Sequence, residues 1–175
     1  MKALLNLIIC CFAITGTYAQ SSVFDIARSG SLKDIEEAFK NHPDTINSIN
    51  DAGYSSLILS TYSGNINVDY FLTQHCDNIN YVSSQGTALM AAAVKGDHFM
   101  TKVLLEHNAD PNLRDTKDTT ALHYAVIFGH VEVASLLLNA NANPNLKDAT
   151  GATALDHANR MQNEAILKLF NHTKS

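Results

Sequence analysis

Of the three cysteines in these 175 residues, Cys10 and Cys11 fall in the first apolar stretch, and only Cys76 stands beyond it. No disulfide can form within the rest of the chain. Cys76 is either a small half-buried turn residue or, in the sharper reading, an intermolecular or redox-sensitive thiol. Basic side chains are few and scattered: 12 Lys and Arg stand against 17 Asp and Glu, for a net charge of −5. Without a basic stripe there is nothing to grip nucleic acid, and the same balance disfavours an anionic membrane surface. Eight histidines are present, yet none stands in a spacing such as His-Glu-x-x-His, and one cysteine cannot supply a thiolate cluster. His75 and His107, in equivalent places, lack a carboxylate partner. Gly-x-Ser-x-Gly, a glycine-rich phosphate loop and a paired-carboxylate signature are all missing. We expect no catalysis, no metal and no cofactor.

One apolar run is present. Met1-Lys2 is followed by mostly apolar residues from Ala3 to Ile14, then by Gly16-Thr17-Tyr18-Ala19. A charged start, a short apolar core and a small residue at the end describe a secretory signal peptide over residues 1–19, cut after Ala19. The core is shorter than the roughly 20 apolar residues a membrane anchor needs. No small residue precedes Cys10 and Cys11 as a lipoprotein site would require. No later segment can cross a bilayer. Residues 20–175 remain, enough for one domain with a continuous core, and a periplasmic or secreted location is expected.

The strongest feature is a period. Leu57, Leu89, Leu122 and Leu155 recur at steps of 32 or 33 residues. Gly64, Gly96 and Gly129 each follow their leucine by seven places, and Asn80, Asn112 and Asn145 by 23. Such a period marks a stack of units that cannot bury their apolar faces alone. Each unit reads as helix, tight turn, helix and extended loop. In the fourth, a first helix over about 121–128 points Leu122, Ala125 and Val126 inward. Gly129 breaks it in a left-handed turn. A second helix over about 131–139 offers Val133, Leu136 and Leu137, and Asn141 ends it, where Asn108 and Cys76 stand one and two units earlier. Thr87, Thr120 and Thr153 are placed to cap first helices. Asp115 and Asp148 repeat with the period and are read as structural. The loop from Asn80 to Leu89 is one residue shorter than its counterparts, so the tip around Ser83-Ser84-Gln85 should be tighter.

Thr120-Ala121-Leu122-His123, Ala125-Val126, Gly129-His130, Leu136-Leu137-Leu138 and Asn145 together resemble the ankyrin repeat. The motif's proline is replaced by Ser56, Ala88, Ala121 and Ala154, which should slacken the start of each first helix. The resemblance implies an all-α solenoid of about five helix-turn-helix units with hairpin loops, near 22–49, 50–82, 83–114, 115–147 and 148–175. The first unit, more charged than the middle ones, and the last, with Gln162 at the glycine place and a polar tail after Phe170, are expected to act as caps of a monomer.

The resemblance also implies a partner protein, held by the hairpin tips and the concave face of the first helices. Transferred position by position, that surface is Tyr54 and Tyr62 with Asp51 and Ala52, and Gln85 and Lys95 with Ser84 and Val94. It continues through Lys117, Thr119, Ile127 and Phe128 with Thr116, and Arg160 with Ala149, Thr150 and Met161. Ile127 and Phe128 lie beyond the buried ridge and are the expected hot spots. His123 is expected to bracket neighbouring loops, and His130 to begin a second helix. The role implied is an exported interaction module such as an adaptor or an immunity protein. The alternative is a secreted effector or protective factor for a redox enzyme, with Cys76 contributing.

Overall fold

The computed structural model describes residues 22–172, so the signal-peptide expectation lies outside the described residues. Hydroxyl side chains set where the helices begin. Ser22, Ser31, Ser55, Thr87, Thr120 and Thr153 each accept a hydrogen bond from the backbone N–H three residues on. These caps open α1 (Val23–Ser29), α2 (Leu32–Asn41), α3 (Ser56–Ser63), α5 (Ala88–Lys95), α7 (Ala121–Ile127) and α9 (Ala154–Met161). Each is worth about 1 kcal/mol. At Thr120 and Thr153 the side chains of His123 and Asp156 return the bond to the cap backbone. The missing motif proline is thus offset by side-chain capping. The remaining helices are α4 (Ile66–His75), α6 (His98–Glu106), α8 (Val131–Asn139) and α10 (Glu164–His172), with a 3-10 turn at Pro43–Asn47.

The helices form two rows. α1, α3, α5, α7 and α9 stack on one another, and α2, α4, α6, α8 and α10 form a second row against them. This is an all-α solenoid of helix-turn-helix units, and its core lies between the rows. Leu57, Leu89 and Leu122 sit at 3, 2 and 1% exposure, whereas Leu155 is only half-buried at the end of its row. Alanines at 91–93, 121, 125, 154 and 158 are almost wholly enclosed. Small side chains there let neighbouring first helices approach closely.

Two details differ from the sequence expectation, and one glycine departs from the pattern of the others. α8 buries Val133, Ala134 and Leu137, while Leu136 is half-buried. The core-facing stripe runs through 133, 134 and 137, one residue off the expected set. Asn108 and Asn141 are left-handed, with φ of 66 and 62°, but Cys76 is extended, with φ of −72°. Gly64, Gly96 and Gly129 are left-handed, yet Gly30, seven places after Val23, is not.

The periodic asparagines are brackets between units. The Asn80 side chain donates to the Asn108 carbonyl at 3.2 Å and accepts from the Asp110 amide at 2.8 Å. Asn112 repeats this on Asn141 and Asn143, at 3.2 and 2.7 Å, and Asn47 engages Asp77 through two bonds of 2.9 Å. An amide both donates and accepts, so one residue ties two strands of loop together. The period recurs at asparagine because the bond pair does.

Candidate functional site

Hairpin tips are built on a repeated side-chain turn. Asn50, Asp115 and Asp148 accept from the amides two and four residues on, closing five-residue hairpins. In the second hairpin Ser83 takes that place, and its amide bonds Gly86, one residue nearer than in the others. The tip is the tighter one expected from the short loop. Gly86 has φ of 98°, and a Cβ there would lie 2.3 Å from the Met90 sulfur, so this turn requires glycine. Tips are laced to one another: Thr116 donates to the Ser84 carbonyl at 3.2 Å, and the Ala149 amide to Lys117 at 2.9 Å.

The last turns of the first helices supply the other half of the face. One column of equivalent positions, Ser63, Lys95, Phe128 and Met161, is exposed in every unit. Beside it run Tyr62, Val94 and Ile127, half-buried, and Arg160, exposed. Phe128 is 51% exposed and stacks against Tyr124 and His130, with ring centroids 6.5 and 6.3 Å away. Tyr124 donates to Asp115 Oδ2 at 2.6 Å, and His130 donates from Nε2 to the Val94 carbonyl at 3.2 Å. Burial, then the Asp115 carboxylate that accepts its proton, push the Tyr124 phenol up. Burial, then neighbouring Tyr54 and Asp115, do the same to Tyr62. Both phenols are therefore hydrogen-bonding groups at neutral pH. Lys95 Nζ donates to the Tyr62 carbonyl at 2.9 Å, tying one unit's helix end to the next.

Gln85, Lys117 and Arg160 are exposed, and Tyr54 is half-buried. Thr119 does not belong to the surface: it is 6% exposed, its amide donates to Asp115 Oδ1 and its hydroxyl to the Lys117 carbonyl. The hairpin closes on itself there and leaves Thr119 nothing to offer. Ile127 is half-buried, so Phe128 carries the accessible apolar area. Tyr124, His130 and Asp115 were not singled out for this face. Their contribution comes from contacts between units, which no single position announces.

A second apolar surface lies on the other row. Leu32, Ile66, Tyr70, Phe71 and Phe99, with Glu36, line a groove of about 340 Å³ between α2, α4 and α6. A signal for it existed, since Tyr70 and Phe99 occupy places that other units give to Lys102 and Glu132.

His123 and His157 serve the scaffold. His123 is 1% exposed; its Nδ1 accepts from Thr120 and its Nε2 donates to the Ala152 carbonyl at 3.3 Å, a bracket between loops. Burial lowers its proton affinity. His157 donates to Asp148 Oδ2 at 2.7 Å. Burial opposes ionisation of Asp148, but bonds from Thr150, His157 and the Ala152 amide hold its carboxyl well below the usual range. Among the described residues no group of three or more His, Cys, Asp or Glu gathers as a metal site. None of the described helices is long and apolar enough to cross a membrane. Burial pushes the Cys76 thiol up, away from the thiolate that redox chemistry needs.

Residues 89–138, spanning α5 to α8, match the family described as ankyrin repeats (many copies). No curated protein matches the chain. The match covers two helical pairs in the middle of a stack whose neighbours repeat the same leucine, glycine and asparagine places. The chain therefore carries ankyrin repeats within an ankyrin-type all-α solenoid, and such repeats indicate a protein–protein interaction module of a typically non-catalytic family.

Proposed function

We propose that this chain is an exported, non-catalytic binding module that holds a partner protein on its concave face and hairpin tips. Phe128 carries the proposal. A phenylalanine half out of the protein is costly to leave in water, and this one stands on Tyr124 and His130, both fixed by hydrogen bonds. A rigid aromatic anchor with polar neighbours is the usual composition of a binding hot spot. Lys95 and Arg160 flank it at equivalent or adjacent places and supply cations for the partner's polar rim.

Export rests on residues 1–19, with their charged start, short apolar core and Ala19. Once the leader is gone, the remaining 17 acidic residues outnumber the basic ones more strongly, since Lys2 goes with it. The proposed role, adaptor or immunity protein, needs only reversible occlusion of the partner's surface.

The test is affinity capture from an envelope extract with the chain lacking residues 1–19, followed by titration of the partner recovered. Phe128→Ser should weaken binding by about 2 kcal/mol, roughly thirtyfold. Tyr70→Ser, on the opposite row, is the control and should leave binding unchanged. Loss with Tyr70→Ser but not with Phe128→Ser would overturn this assignment and move the site to the second-helix groove.

A further inference from the structure

The second helical pair is built unlike the others. Ser60 stands where the next two units have Ala92 and Ala125, and Thr61 where they have Ala93 and Val126. Asp69 takes the place of Thr101 and Ala134. All three are buried, at 0, 2 and 1% exposure. The stack thus carries a carboxyl and two hydroxyls at places the next two units fill with alanine, valine or a threonine.

Hydrogen-bond arithmetic decides the state of that carboxyl. Asp69 Oδ1 lies 3.0 Å from the Ser60 hydroxyl and 2.9 Å from that of Thr61. The same two hydroxyls also lie 2.9 and 2.8 Å from the Leu57 carbonyl, which competes for their protons. Asp69 Oδ2 is buried with no partner, as is the Ser56 hydroxyl oxygen. An ionised carboxylate would hold its charge on one oxygen with contested donors and one with none. A neutral acid removes that conflict: it donates to a hydroxyl, which is then free to donate to Leu57. Burying an unpaired charge costs far more than burying a hydrogen-bonded neutral group.

No cation compensates. α3 contributes hydroxyls and no charged residue. The charges of α1 and α2, namely Asp25, Arg28, Lys33, Asp34, Glu36, Glu37 and Lys40, are all exposed. From α6 the group that acts on Asp69 is the Asp97 carboxylate at its cap, of like sign, while His98, Lys102 and Glu106 are exposed. On α4 itself, His75 and Cys76 stand at the far end. Burial first, opposed by the Thr61 and Ser60 hydrogen bonds and reinforced by Asp97, pushes the Asp69 carboxyl up to about 7.

We propose that Asp69 makes the second helical pair a proton-controlled weak joint, seated when the carboxyl is neutral and loosened when it ionises. In a stack whose units touch only their neighbours, one weak unit uncouples the parts on either side. Loosening α4 releases α3, and with it the Tyr62 carbonyl that Lys95 grips from the next unit. Alkaline conditions open this joint and acid closes it.

The sign follows from linkage. The folded chain binds the Asp69 proton more tightly than the unfolded chain, so this contribution is complete below the unfolded value of about 4 and is lost as pH rises through about 7. The experiment compares the full chain with Asp69→Asn by amide hydrogen exchange, each rate referred to its unstructured value at the same pH. At about pH 4 the two should protect α3 and α4 alike; at about pH 8 the wild-type α3 and α4 should open at least about tenfold more often than in Asp69→Asn, with α7 and α8 unchanged. Equal protection ratios at both pH values would overturn the proposal. Should Asp69→Asn fold poorly, carbon NMR of the Asp69 carboxyl in the wild type decides directly: titration near neutrality supports the joint, and titration below about pH 4 refutes it.

Discussion

Truncating the periodic leucines should give unequal losses, set by where each sits in its row. Leu122 is 1% exposed on α7, which is flanked by α5 and α9, so both neighbours pack against its helix. Leu122→Ala removes three carbons, about 0.8 kcal/mol each for transfer alone, or roughly 2.4 kcal/mol. The enclosing alanines at 125 and 158 are part of close-packed helix contacts and cannot collapse far, so a cavity penalty adds to this, for a total of about 3–4 kcal/mol. Leu155 is half-buried on α9, which has α7 on one side. Half the transfer term and no closed cavity give about 1 kcal/mol for Leu155→Ala. Urea unfolding followed by circular dichroism measures both, with hydrogen exchange on α7 and α9 to show which part of the stack opens first. Equal losses would refute the reasoning, since they would mean that burial between two neighbours counts for nothing beyond the leucine itself.

Two further outcomes follow from other contacts. Gly96→Ala should destabilise by about 1–3 kcal/mol and Gly129→Ala by less, as judged by thermal melting: both are left-handed, but a Cβ at 96 would lie 2.5 Å from the His130 ring, while at 129 the nearest atom is 3.7 Å away. His123 binds its proton less readily folded than unfolded, so its contribution is present above the unfolded value of about 6.5 and is lost as pH falls below it; a urea series in which His123→Gln keeps the wild-type pH slope there would contradict this.

Much of the fold was legible because the same physical demand returns every 32 or 33 residues. Leu57, Leu89 and Leu122 meet equivalent surroundings, and so the period locates the core without reference to any one contact. Gly96 and Asn112 were legible for the same reason, although the asparagine's task, a bond pair reaching the next unit, is visible only in space. Leu136 was misplaced because neighbouring stripes on a helix differ by a single residue, and a run of three leucines offers no contrast to choose between them. Thr119 was misplaced because a position in a hairpin was taken as a position on its surface, and Asp115 draws its amide inward. The candidate face was legible in part: Lys95, Phe128 and Arg160 are exposed, but the partners that stiffen Phe128 come from outside its own turn.

The residues that set this stack apart are those that break its period. Repetition fixes an interior that any stack of this kind must have, so equivalent residues that stay alike report folding. Departures on the surface divide by what replaces them. Along the column Ser63, Lys95, Phe128 and Met161, side-chain chemistry changes at every step while exposure is kept, which makes that column available to a partner. Departures inside cannot be neutral in the same way, because a buried carboxyl at position 69 carries a desolvation cost that its alanine counterpart at 134 does not. Asp69 and Phe128 are two such departures, one beneath the surface at a cost in stability and one upon it at a cost in solubility. Binding is to be sought at the second, and its control at the first.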